Sequence, residues 1–220
     1  MRELKELLAR LAEARGISGY EGAIRGIVEE ELREYVDEIR TDRLGNLIAR
    51  KGGKSPSVMI AAHLDEIGLM VKQIEPEGFL RFSTIGGWFD QTLLNQRVVL
   101  QPEGEGGNIV YGVIGSKPPH RMKKEEREKT IKAEDMFIDI GAKSEEEVSK
   151  LGITIGTPVI IDRQFTSLIN DRVTCKAFDN RSGVAVMIEA LRRVNTKFEL
   201  YAVGTVQEEV GLKGARTSAF

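Results

Sequence analysis

Leu4, Leu7, Leu8, Leu11 and Ala12 recur at helical spacing through residues 2–15, and Gly16 ends the run. Ile24, Ile27, Val28 and Leu32 mark a second amphipathic helix from about Tyr20 to about Tyr35. Ser18, three residues ahead of Glu21, predicts a capping box at its start. Residues 36–50 read as two strands turned at Leu44-Gly45-Asn46, 52–56 as a loop, and 57–62 (SVMIAA) as a strand buried on both faces. The texture then changes. Short β-type runs at 69–74, 79–85, 98–100, 109–114, 136–140 and 158–161 are punctuated by Gly, Pro and Asn. Helical spacing is confined mainly to 144–151, and 117–132 reads as a long exposed loop. From Val173 the α/β texture returns, with a strand at 173–178, a helix at 180–194 and a buried strand at 198–206. A helix begins after Gly211.

This order predicts an α/β domain formed by residues 1–66 and 166–220, with a β-barrel or sandwich inserted at 67–165. A parallel sheet of two or three strands leaves its edges uncovered. More of the α/β domain is therefore expected C-terminal to Phe220.

Composition narrows the function. Lys plus Arg total 32 and Asp plus Glu 34, a net charge of −2, which argues against holding nucleic acid by bulk charge. Apolar residues are 41% and charged residues 30%, enough for a packed core, and no apolar run approaches a membrane span. The charged opening MRELKELLARLAEARG does not read as a signal peptide, so a soluble, cytoplasmic protein without membrane partners is expected. One cysteine, Cys175, excludes a disulfide framework or a multi-cysteine metal site. With only His63 and His120, any metal site must rely on carboxylates.

Several motifs fail on spacing. Gly53-Lys54-Ser55 lacks the first glycine of a P-loop, which falls at Ile48. Gly104, Gly106 and Gly107 do not make a dinucleotide fingerprint, because Ile109 takes the place of the third glycine. Cys175 sits in the apolar run VTCKAF, where an inert buried thiol is expected.

Three ligand-type clusters share one placement, each just past a predicted strand: His63-Leu64-Asp65-Glu66, Asp179, and Glu208-Glu209. Ligands of open α/β sheets bind outside the carboxyl ends of strands. Each cluster has an ordinary structural explanation: a hydrogen-bonded His63, an Asp179 N-cap, acids complementing a helix N-terminus. Their joint occurrence favours one site. In His63-Leu64-Asp65 a carboxylate can orient an imidazole that binds metal through its other nitrogen. Adjacent Glu208 and Glu209 point in different directions, so one can bind metal while the other handles protons.

His63-Leu64-Asp65-Glu66-Ile67-Gly68, Ala177-Phe178-Asp179-Asn180-Arg181 and Gln207-Glu208-Glu209-Val210-Gly211 closely resemble the M42 family of dinuclear metallo-aminopeptidases, which includes the tetrahedral, dodecameric aminopeptidases of archaea. The resemblance runs from GISGYEG through IGG, SKPPH and IDIGA to GARTSAF. It implies a zinc-peptidase-like α/β catalytic domain with an inserted dimerisation domain, two divalent metal ions (zinc or cobalt), peptide substrates, and self-association to dimers and a dodecamer. It further implies that His63 and Glu209 each bind one metal, that Asp179 bridges both, that Asp65 orients His63, and that Glu208 is the general base. The family's remaining Asp and His ligands are expected beyond Phe220, so the 220 residues alone are expected to be inactive. His120, in the inserted segment, does not replace that His.

The alternatives are another hydrolase on a co-catalytic metal pair, such as a deacylase or carboxypeptidase, or a catalytically silent assembly module. Gly86-Gly87-Trp88-Phe89 is either an interface anchor or part of the inserted domain's core.

Overall fold

The structure, a computed structural model, describes residues 2–102, 108–121, 123–124 and 128–219. Gly104, Gly106, Gly107 and Phe220 lie outside the described residues. Along the chain run α1 (Arg2–Glu13), α2 (Gly22–Leu32), β1 (Glu38–Thr41), β2 (Leu47–Lys51) and β3 (Lys54–His63). Then come β4 (Gly68–Ile74), β5 (Leu80–Ile85), β6 (Arg97–Leu100), β7 (Val110–Gly115), β8 (Phe137–Asp139), α3 (Glu145–Lys150) and β9 (Pro158–Ile161). The last stretch holds β10 (Thr166–Ser167), β11 (Val173–Thr174), α4 (Phe178–Arg193), β12 (Phe198–Thr205) and α5 (Lys213–Ser218).

The chain divides into two compact units, Met1–Glu66 with Arg163–Phe220, and Ile67–Asp162. The first is α/β. Its sheet has the order β1-β2-β12-β3, with β12 antiparallel to β2 and parallel to β3. Leu7 and Leu11 of α1, Ile24 and Val28 of α2, and Val184, Met187, Ile188 and Leu191 of α4 pack with Leu47, Ala49, Ala62, Leu200 and Ala202 of the sheet. Fully burying a side chain such as Leu or Ile stabilises by about 1.5–3 kcal/mol. Four such residues keep α4 docked although it opens on the non-helical Asp179 and Asn180.

Three local expectations are corrected. β3 begins at Lys54, inside the expected loop, because it pairs there with Phe198. It is not buried on both faces: it is an edge of this sheet, and Val58 and Met59 are exposed. The expected strand at 173–178 shrinks to Val173–Thr174, which pairs only with β10. Its continuation turns away where Lys176 Nζ binds Glu66 and the carbonyl of Ala14. Cys175 is therefore half-buried beside Arg163 O rather than inside an apolar strand, and burial pushes its thiol up.

The second unit is a closed six-stranded barrel, β4-β5-β8-β7-β6-β9, which settles the barrel-or-sandwich alternative. Leu69, Val71, Leu80, Phe82, Val98, Leu100, Ile138 and Val159 fill it. Trp88 packs against this core and donates its indole N–H to Gly68 O (3.0 Å), whereas Phe89 is exposed. His120 lies in a short 3-10 turn of this unit.

Candidate metal centre

The single parallel pairing in the α/β sheet builds the site. Thr205 at the end of β12 lies level with His63 at the end of β3, and Leu64 N–H donates to Thr205 O (2.7 Å). Both strands therefore release their chains at one edge, the first into His63-Leu64-Asp65-Glu66 and the second into Gln207-Glu208-Glu209. Asp179 arrives at the start of α4, just after Ala177, which has φ 60°.

These residues meet. His63 Nε2 lies 3.1 Å from Asp179 Oδ1 and 3.8 Å from Glu208 Oε2. One donor atom each from His63, Glu208 and Glu209 all fall within 4.8 Å of one another. His63 is buried, Glu208 and Glu209 are half-buried, and the Asp179 side chain is 87% exposed.

Asp65 is fully buried and does more than the tripeptide suggested. Its carbonyl oxygen lies 3.1 Å from His63 Nδ1, closer than its carboxylate at 3.5 Å. The carboxylate accepts the backbone N–H groups of Glu208 (3.0 Å) and Glu209 (3.1 Å) and the hydroxyl of Ser18 (2.6 Å). One residue thus joins the imidazole to the acid pair. The expected capping box does not form: Ser18 is turned to Asp65, and Glu21 accepts Gly19 N–H and Gln207 N–H.

Behind the centre lies a buried ion cluster that the motif reading did not single out. Lys176 Nζ contacts both Glu66 oxygens at 2.8 and 3.0 Å. The fully buried Arg181 donates to Leu11 O (2.7 Å) and Ala14 O (3.2 Å), as suits a cation near the C-terminal end of α1. The cluster ties the start of α4, and hence Asp179, to the chain after α1 and to Glu66. Its signal in the sequence lay within the quoted motifs, Glu66 after Asp65 and Arg181 two positions after Asp179, with Lys176 just before the second.

The electrostatics follow from this crowding. Burial alone lowers the affinity of His63 for a proton, but the hydrogen bond and charge of Asp65, with Glu208 and Asp179, outweigh it and raise its pKa to about 9. Burial raises Glu209; His63 opposes this, and the charges of Glu208, Asp65 and Asp179 add to the rise. Glu66 is matched by Lys176, so four carboxylates, Asp65, Asp179, Glu208 and Glu209, face one imidazole. An imidazole nitrogen and several carboxylates at one edge fit a divalent metal cation.

An open α/β sheet that gathers His and carboxylate side chains at its strand ends has the placement of a metal-binding site. The M42 glutamyl aminopeptidase family model matches residues 45–220, and the chain belongs to that family. FrvX of Escherichia coli (strain K12) is 46% identical over 97% of this chain and 60% of its own length. The lysyl aminopeptidase of Pyrococcus furiosus is 40% identical over 98% of this chain and 62% of its own. A TET aminopeptidase from a marine sediment thaumarchaeote superposes with a TM-score of 0.94 at 43% identity, over 99% of this chain and 62% of that one. The Pyrococcus horikoshii TET1 peptidase, described as assembling into a tetrahedron or a large octahedral shell, gives 0.88 at 36% identity, over 98% of this chain and 64% of that one. The chain spans about 60% of the length of the curated relatives it matches.

Proposed function

We propose that the whole protein is a metal-dependent aminopeptidase that removes N-terminal residues from peptides. The observation that carries this is the meeting of His63, Asp179, Glu208 and Glu209 at one sheet edge in a member of the M42 family. His63, Asp179 and Glu209 are the residues here that would hold the metal ions, with Asp179 shared between two. Bound zinc or cobalt ions supply an acidified water and polarisation of the scissile carbonyl. Glu208, half-buried beside His63, takes the proton of the attacking water at a carboxylate oxygen and returns it to the leaving amine. Asp65 holds His63 and the backbone of both glutamates, which keeps the proton acceptor and the metal donors in fixed register.

We further infer that the barrel unit mediates dimer formation and that dimers assemble into a dodecamer, a reading supported by the shells described for the TET1 relative. Among the described residues no helix is long and apolar enough to cross a membrane. The cytoplasm is the proposed location.

The test is a peptidase assay on the protein extended to the length of its relatives. Chelator-sensitive release of N-terminal residues from free-amine peptides, with N-acylated peptides left intact, is expected. Equal cleavage of acylated substrates, or activity that survives chelation, contradicts the reading.

A further inference from the structure

We propose that Glu21 is a positioning residue of the metal centre, holding the Glu208-Glu209 segment in its ligating place through the backbone N–H of Gln207; the proposal rests on the metallopeptidase reading above. Four successive N–H groups leaving β12 are each taken by a side-chain oxygen from elsewhere in the α/β unit. Val206 donates to Asn46 Oδ1 (3.0 Å), Gln207 to Glu21 Oε1 (3.0 Å), Glu208 to Asp65 Oδ1 (3.0 Å) and Glu209 to Asp65 Oδ2 (3.1 Å). The carbonyls of Val206, Gln207 and Glu208 accept from Gly214 (2.9 Å), Lys213 (3.2 Å) and Leu212 (2.9 Å). The backbone that carries both glutamates is therefore gripped from both sides.

Gln207 is the demanding position in this segment. Its φ of 55° lies in the left-handed region, which a residue other than glycine keeps only when its surroundings over-determine it. Glu21 supplies the acceptor there. Its side chain makes no capping bond to α2 and is 5% exposed, and its Oε1 spans Gly19 N–H (2.8 Å) and Gln207 N–H. A buried carboxylate is costly unless its hydrogen bonds are used. Those bonds run to the loop after α1 and to the acid-bearing segment. The chemistry at position 21 thus serves the site rather than the helix it precedes.

The test compares Glu21→Ala, Glu21→Asp and Glu21→Gln with the unaltered protein by two readouts: amide hydrogen exchange of residues 206–209 in metal-free protein, and Co²⁺ affinity by calorimetry. Glu21→Ala is expected to speed exchange at Gln207 by about tenfold or more and to weaken Co²⁺ binding by about 10- to 100-fold. Glu21→Gln keeps an acceptor oxygen and is expected to restore both. Glu21→Asp, one methylene shorter, is expected to follow Ala in direction and decides the matter if Ala does not fold. A lowered melting temperature with unchanged Gln207 exchange and unchanged Co²⁺ affinity overturns the proposal. If the unaltered protein, extended to the length of its relatives, binds no Co²⁺, the metallopeptidase reading fails; faster Gln207 exchange in the variants then still upholds the grip of Glu21 on the segment, and unchanged exchange overturns it.

Discussion

His63 Nε2 and Asp179 Oδ1 meet at 3.1 Å although they stand 116 positions apart in the chain. Two independent constraints make the contact. Parallel pairing sets His63 level with Thr205, and the Glu66–Lys176–Arg181 cluster fixes the start of α4 beside the end of β3. Packing and buried charge thus bring side chains distant in sequence to one sheet edge.

The two glutamates are expected to separate in their roles. In the protein extended to the length of its relatives, Glu208→Gln should lower kcat by roughly 100- to 10,000-fold with metal still bound, since the amide keeps the shape but takes no proton. Glu209→Gln should instead weaken metal binding, because it removes a charge from the donor set. Steady-state kinetics with metal content measured in parallel distinguishes them; loss of metal in the Glu208 variant would reverse the assignment.

Gly214 is expected to tolerate no side chain. A Cβ there would stand 2.3 Å from Asn46 Oδ1 and 2.4 Å from Val206 O, the two groups that begin the grip on the acid segment. Gly214→Ala should destabilise the fold by about 1–3 kcal/mol and weaken Co²⁺ binding. Denaturant unfolding and calorimetry check both, and a variant unchanged in either is against the account.

Asp42 should give the turn before β2 a pH signature. Its Oδ1 accepts the N–H groups of Leu44, Gly45 and Asn46 at 2.9 Å each, and its Oδ2 accepts from the Asn46 amide at 2.7 Å. Burial raises its pKa, but these bonds outweigh burial and hold it below the ordinary 3.8. The folded pKa lies below the unfolded one, so the stabilisation is present above that unfolded value and is lost as pH falls through the folded value. Asp42→Asn is expected to melt below the unaltered protein at neutral pH. The gap should narrow as pH falls below the ordinary carboxylate value of 3.8; a gap independent of pH would show that the charge contributes nothing.

Glu66→Gln would leave Lys176 and Arg181 buried without their anion. Breaking a buried pair by removing one partner costs about 3–5 kcal/mol, and a loss of that order is expected in denaturant unfolding. A loss below about 1 kcal/mol would place the cluster in the class of weak, solvent-screened pairs.

Much of this molecule was legible in the chain because its signals are local. The six barrel strands follow short runs such as 69–74 and 158–161 bounded by Gly and Pro, and the helix beginning at Phe178 follows the spacing of Val184, Met187, Ile188 and Leu191. The motifs around His63, Asp179 and Glu208 pointed to the family. What was misread depends on partners distant in sequence. The run 57–62 is apolar enough for a central strand, and within these 220 residues β3 has a neighbour on one side only. VTCKAF has strand-like residues, but Lys176 is drawn to Glu66 and ends the strand early. Ser18 and Glu21 have capping-box spacing, and only the arrival of Asp65 and Gln207 from β3 and β12 shows why their side chains turn elsewhere.

The most direct test of a metal centre built from these strand ends is an anomalous-difference map from crystals of the protein grown with Co²⁺. The account predicts cobalt density bounded by His63 Nε2, an Asp179 oxygen and the Glu209 carboxylate, with Glu208 beside it, and diminished next to position 63 in His63→Ala. Cobalt bound elsewhere with this edge vacant, or density that persists at the edge in His63→Ala with undiminished occupancy, would contradict it.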